Sequence, residues 1–166
     1  MQYRLLMAAA LMLSPFAASA QTASTTASVN IENYALNITK TQDLNFGSII
    51  PSASINGTMA LSPSGVVSTT GGVTSQPGSG YNPAAYTISG VPGASFSVTL
   101  APAIVTLYSA RGSLTIGDFV RSGPTTVLLD NNNGLAYFFI GATLFVNSGQ
   151  LPGNYTGTFD VTVAYN

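Results

Sequence analysis

The sequence has no cysteine and no histidine. The first absence excludes disulfides, thiolate nucleophiles and thiolate metal sites; the second removes imidazole ligands and the commonest general base. A serine nucleophile therefore lacks a histidine to activate it. A Ser–Lys pair would have to use Lys40, the only lysine, and the position three residues before it is Asn37. Charge is also scarce. Beyond residue 20 the cations are Lys40, Arg111 and Arg121, against Glu32, Asp43, Asp118, Asp130 and Asp160. No basic patch exists to hold nucleic acid or anionic lipid. The remaining route to hydrolysis is a carboxylate pair, with Asp118 and Asp130 as its candidates. Five scattered acids read more simply as solvated surface, so the chain is expected not to be an enzyme and to need no cofactor or metal. A chain this poor in charge also has little protection against self-association.

Long hydrophobic runs are absent after the N-terminus. At the N-terminus, Arg4 precedes the apolar run Leu5–Leu13, and Ala18-Ser19-Ala20 has the small-x-small form of a cleavage site. Residues 1–20 thus read as a secretory signal peptide with a helical core, too short to span a bilayer. The mature chain is expected to be exported, passing through a periplasm to the cell surface or medium, and not integral to a membrane. Its roughly 146 residues suffice for one domain with a full core. Without disulfides, stability must come from burial and backbone pairing.

A helical period is missing as well. Residues 21–33 are expected to form a flexible extension, opening with the small polar run QTASTTAS. From 34 to 166 the chain reads as one antiparallel β-sandwich, with short apolar runs separated by Gly, Pro, Ser and Asn. The runs are Tyr34–Phe46, Ile55–Leu61, Val66–Val67, Tyr86–Ile88, Phe96–Leu100, Ile104–Tyr108, Leu114–Ile116, Val127–Leu129, Leu135–Ile140 and Thr143–Val146. The last is the terminal alternation of Phe159, Val161, Val163 and Tyr165 with polar or small residues. Asn133-Gly134 predicts a type I′ hairpin between Val127–Leu129 and Leu135–Ile140. The stretch Gly71–Pro83 predicts an exposed loop. The run Asp130–Gly134 has glycine at the fifth place of a calcium-loop pattern rather than the sixth, and Gly141 where a bidentate glutamate belongs, so it reads as a turn. Asn37, Asn56 and Asn154 begin Asn-x-Thr sequons, which matter only in a glycosylating secretory pathway.

Three segments carry a resemblance to a known family. The ending presents Gly153, Tyr155, Gly157, Phe159, Val161, Val163 and Tyr165 in the pattern G-x-Y-x-G-x-F-x-V-x-V-x-Y. An early Leu44-x-Phe46-Gly47 and a middle Gly141-Ala142-Thr143-Leu144 accompany it. Together they resemble an uncharacterised family of exported bacterial domains related to spore coat protein U and to chaperone–usher pilin subunits. The resemblance implies an immunoglobulin-like, pilin-like sandwich that leaves an apolar groove for a strand from a partner. It implies as partners copies of the protein or related subunits, a periplasmic chaperone and an outer-membrane usher. Backbone hydrogen bonds would supply affinity and alternate side chains would fill pockets.

The C-terminal strand, with Phe159, Val161, Val163 and Tyr165, is on this reading the candidate groove wall. The candidate donor is 29–38, carrying Val29, Ile31, Tyr34, Leu36 and Ile38. Its apolar parity changes after Ile31, so one flat strand would need a bulge near Asn33. Two assignments stay open: 29–38 as a bulged donor, or 34–46 as the domain's own first strand. The expected role is a structural surface subunit of a pilus, fimbria or coat. The rival is a monomeric ligand- or glycan-binding module. Of the tyrosines at 81, 86, 108, 137, 155 and 165, most read as structural; Tyr81, in the loop GSGYNP, is the candidate ligand contact.

Overall fold

The computed structural model describes residues 21–31 and 34–166. The expected signal peptide, residues 1–20, lies outside the described residues, as does Asn33, where a donor bulge was expected. The chain divides into two units, Met1–Glu32 and Asn33–Asn166. Within the first, residues 21–31 form no strand or helix and are exposed throughout.

The second unit is all-β and sandwich-like. Its strands are β1 (Asn37–Gln42), β2 (Ile49–Ile50), β3 (Gly57–Leu61), β4 (Val67–Gly71), β5 (Thr74–Ser75) and β6 (Ala84–Ser89). They continue with β7 (Ser95–Ala101), β8 (Val105–Ser109), β9 (Gly112–Arg121), β10 (Thr126–Leu128), β11 (Leu135–Val146) and β12 (Asp160–Tyr165). Every pairing is antiparallel. The large sheet has seven strands, along the path β1-β6-β11-β3-β4, with β9 also on β11 and β8 beyond it. A three-stranded sheet runs β10-β7-β12, and β2 and β5 form a short ribbon. Among the described residues no helix is long and apolar enough to cross a membrane.

Strand β11 is the spine. Ala136, Phe138, Ile140, Ala142, Leu144 and Val146 are buried, while Tyr137, Phe139 and Phe145 face out. The sequence reading split this strand at Gly141; the structure does not, because the alternation runs through unbroken. Ile140 pairs with both Ala84 and Arg121, and Leu144 with both Met59 and Ile116. So β9 follows one edge, and β6 then β3 share the other. Gly141 sits where β3 gives way to β6. A Cβ there would lie 2.0 Å from the Leu61 carbonyl oxygen, and only a residue without one allows that approach.

A bulge in β9 sets the aim of Phe119. Gly117 pairs with Thr143 and Val120 with Gly141, so Asp118 and Phe119 together oppose Ala142. Asp118 takes a left-handed φ of 46°. Leu114 and Ile116 point inward, and strict alternation would send Asp118 inward too. The extra residue turns Asp118 to solvent and Phe119 to the interior, where its ring meets Phe159 at 4.9 Å.

Two cores result. One joins Ile88, Phe138 and Ile140 of the large sheet to Phe96, Leu129, Val98, Val161 and Val163 of the small sheet side. The other gathers Met59, Leu61, Val105, Leu114, Ile116, Leu144 and Val146 on the remaining half of the large sheet, under Phe46 and Val73. Leu44, Phe119 and Phe159 pack against both. The small sheet therefore covers only half of the large one.

Three local expectations need correction. Val127–Leu129 and Leu135–Ile140 do not form a hairpin, since β10 pairs with β7 and β11 with β6, β3 and β9. The turn between them carries the chain from one sheet to the other. Asp130 Oδ1 accepts the N–H groups of Asn132 (2.9 Å) and Asn133 (3.0 Å), and Gly134 alone in the turn has positive φ, which excludes type I′. Gly71–Pro83 is not simply an exposed loop: it contains β5 and the buried Val73. The first strand is shorter than Tyr34–Phe46, ending at Gln42 after a bulge, with Asn45 making an isolated bridge to Asn82.

Candidate functional site

The half of the large sheet that lacks a covering sheet forms the floor of a groove of about 890 Å³. Leu107 from β8, Leu114 and Ile116 from β9, and Leu144 from β11 supply the floor. Residues 43–51 make one wall and 150–159 the other. Neither wall belongs to a layer of long strands, yet both are anchored.

The first wall is held from behind. Asn45 N–H donates to Asn82 O (2.9 Å), Asn82 N–H returns a bond to Asn45 O (2.8 Å), and Asn82 Nδ2 donates to Asp43 O (2.7 Å). Gln76 N–H donates to Ser48 O at 3.0 Å. Leu44 and Phe46 turn into the cores, and Gly47 follows with a φ of 66°. A Cβ at Gly47 would also meet Ser79 Oγ at 2.4 Å, so this wall needs glycine twice over.

The second wall lies against β8. Thr156 exchanges backbone bonds with Tyr108, of 2.8 and 3.0 Å. A Cβ at Gly157 would meet Leu107 Cδ2 and Thr106 O, both at 2.8 Å, and at Gly153 it would meet Ser109 Oγ at 3.1 Å. These glycines let the backbone lie flat on β8. Gln150 Nε2 donates to the Tyr155 hydroxyl (2.7 Å), which donates to Leu151 O (2.6 Å), closing the turn that opens this wall.

Asn45, Ser48, Gln150, Asn154, Thr156 and Thr158 add polar groups to the walls, and only Lys40 and Asp43 in the lining are charged. Lys40 and Asp43 form an exposed ion pair at one end, and the hydrogen bond from Lys40 raises its pKa, with the carboxylate charge acting in the same sense. Tyr86, stacked on Phe138 with centroids 5.2 Å apart, has its pKa raised by burial. Among the described residues no cluster of three metal-ligating side chains occurs. The arrangement offers apolar floor and backbone edges. It suits an extended segment or a small molecule that sets apolar groups on the floor and polar groups against the walls.

The residues singled out from sequence are distributed as follows. Phe159 lines the groove, whereas Val161 and Val163 pack into the core between the two sheets. Tyr165 is bound at the far end, its hydroxyl accepting the Val91 N–H at 2.8 Å and donating to Tyr34 O at 3.4 Å. Of the candidate donor residues, Leu36 and Ile38 pack against the domain's own core, and Ile38 pairs with Ile88. Tyr34 is exposed, and Val29 and Ile31 are 84% and 86% exposed. Tyr81 is 37% exposed and does not line the groove. Sequence reasoning missed the floor residues Leu107, Ile116 and Leu144 as site residues; a strand pattern marks them as core and says nothing of what covers them.

All three segments of family resemblance meet here. Leu44–Gly47 and Gly153–Phe159 are in the two walls, and Gly141–Leu144 is the stretch of β11 that ends in the floor. Residues 36–165 match the family described as a domain of unknown function (DUF4402), and the chain belongs to that family. No curated protein and no solved structure matches it.

Proposed function

We propose that this member of the DUF4402 family is an exported, non-enzymatic structural subunit, related to spore coat protein U and to pilin subunits, that assembles at the cell surface by strand addition between copies. The observation that carries the reading is the groove: half of an apolar sheet is left without a covering sheet and is bounded by two anchored walls. An added strand would lie between residues 43–51 and 150–159, above Leu107, Ile116 and Leu144. The exposed Val29 and Ile31 are the donor side chains left after Leu36 and Ile38 enter the domain's own core. A periplasmic chaperone would occupy the groove before assembly, and an usher would exchange it for the next subunit.

The test is a detergent gel of the surface-released protein, unheated beside boiled. Strand-exchanged subunits resist detergent until heated, so the expected result is a ladder that collapses to one band on boiling. Ile31→Asp should abolish the ladder. A single monomer band in both lanes would reject strand exchange. It would favour the second reading, a monomeric ligand- or glycan-binding module, which the groove also supports, since about 890 Å³ is the size of a small-molecule pocket.

A further inference from the structure

Sheet edges expose unpaired backbone groups, and natural proteins guard them with charge, proline, bulges or cover. The edges here divide sharply on that criterion. Strand β1 has a bulge between Lys40 and Gln42 and carries the Lys40–Asp43 pair. Strand β12 begins with the exposed Asp160. Strand β10 is three residues long and follows Pro124. Strand β8 is bridged by Thr156, and β2 and β5 are two residues each. Strand β4, Val67-Ser68-Thr69-Thr70-Gly71, has none of these guards. Among the described residues it pairs with β3 alone, in unbroken register, and Ser68 to Gly71 are exposed. No charged residue occurs anywhere from Leu44 to Ala110.

We infer that the free edge of β4 pairs with β4 of a second copy, antiparallel and about a two-fold axis, joining two large sheets into one. The backbone polarity follows from the hairpin. Ser62 N–H donates to Val66 O at 2.9 Å, so alternation along the β3–β4 register points the N–H and C=O of Val67 and Thr69 away from β3, and Gly71, at a φ of 60°, ends the row. An extended strand satisfies such a row with backbone partners in place of water. A second copy fits because the sequence is self-complementary about Thr69. Thr69 would oppose Thr69 of the second copy, Ser68 would oppose Thr70, and Val67 would oppose Gly71. The hydroxyls of Ser68 and Thr70 then pair on one face; on the other, Thr69 meets Thr69 of the second copy between two Val67–Gly71 pairs, where the glycine leaves room for the valine, and no like charges meet. This contact is separate from the groove and does not depend on strand donation.

Sedimentation velocity of the full chain over a range of concentrations tests it, together with a single cysteine in this cysteine-free protein. The wild type should dimerise reversibly, and Thr69→Cys should be joined into a dimer by a short bismaleimide, whereas Ser148→Cys should not. Thr69→Pro removes an N–H that β3 does not use, and should weaken dimerisation about tenfold or more while leaving the melting temperature nearly unchanged. Thr69→Lys, which sets two ammonium groups against each other, should do the same if the proline variant fails to fold. A monomer at every concentration would overturn the inference. So would a dimer that both Thr69 variants leave intact, and so would a dimer lost in Ile31→Asp but kept in Thr69→Pro, which would assign the association to the N-terminal segment instead.

Discussion

Gly141→Ala should be among the most damaging single-methyl changes in this domain, and Gly117→Ala its harmless counterpart. The two glycines lie in strands that pair with each other, β9 and β11, and neither has positive φ. Backbone strain therefore plays no part in either substitution. Replacing glycine by alanine at a compatible site gains about 0.4–1 kcal/mol by narrowing the unfolded ensemble. The difference lies in what the new methyl meets. At position 117 the nearest atoms are Ala103 O at 3.4 Å and Phe145 Cε2 at 3.5 Å, ordinary contact distances. At position 141 they are Leu61 O at 2.0 Å, Ser62 C at 2.7 Å and Pro63 N at 2.9 Å, all backbone.

Backbone cannot rotate away as a side-chain tip can. The end of β3 would have to move by about an ångström, and Met59 and Leu61, both buried in the core below the groove, are attached to it. Overpacking of this kind costs roughly 1–3 kcal/mol, occasionally more, which exceeds the entropic gain. We expect Gly141→Ala to lose about 2–3 kcal/mol, a fall of roughly 6–12 °C in melting temperature for a domain of this size. Gly117→Ala should be neutral or up to about 1 kcal/mol more stable. Thermal and urea unfolding by circular dichroism would measure both. Equal stability of the two variants would refute the account, because it would mean that β3 is not pinned against β11 at Leu61.

Val161→Asp places a carboxylate against the core between the sheets and should cost several kcal/mol, seen as loss of folded protein; normal yield and stability would reject the inward face of β12. Asp118→Val forces a β-branched residue into φ 46° and should cost about 1–2 kcal/mol, whereas Asp118→Gly should be tolerated; unfolding midpoints compare them. Burial raises the Tyr86 pKa above 10.0, so its contribution to stability is intact below that pH and is lost as pH rises through the raised value. Tyr86→Phe should accordingly flatten the alkaline fall in stability that begins near pH 10, and an unchanged pH profile would show that the phenol is not desolvated in the fold.

Most strands were legible because one face of each is buried and the period of two survives in the residues. Phe96-Val98-Leu100 and Phe159-Val161-Val163 are read directly, and both pack as alternation requires. What could not be read was partnership. The dipeptide Asn133-Gly134 marks a reversal, but a reversal between two sheets has the same local chemistry as one within a hairpin. Gly141 looked like a break because glycine usually punctuates; here it serves a close approach from a chain segment eighty residues earlier, which only the fold reveals. The aim of Phe119 depends on a bulge opposite Ala142, and no local signal beyond an aspartate tolerant of left-handed φ announces it. The groove was hidden for a related reason. Its walls were visible as motifs, whereas its floor residues look like any other core.

The scarcity of charge acquires a physical meaning from the two surfaces proposed for pairing. A sheet protein without disulfides usually protects its edges and open faces with lysine or glutamate, accepting a small loss of stability for solubility. Here the guards are retained on β1, β10 and β12 and are missing from β4, which lies inside the charge-free stretch Leu44–Ala110. An unguarded backbone edge costs a monomer solubility and repays it only when something pairs there. On the proposed reading, the uneven placement of the guards, more than the low charge itself, is what would set a chain that associates apart from one that is merely poor in charged residues. If both sites pair, strand addition links copies head to tail while β4 joins two such series side by side, which gives a sheet-bonded double filament that needs no covalent cross-link to persist.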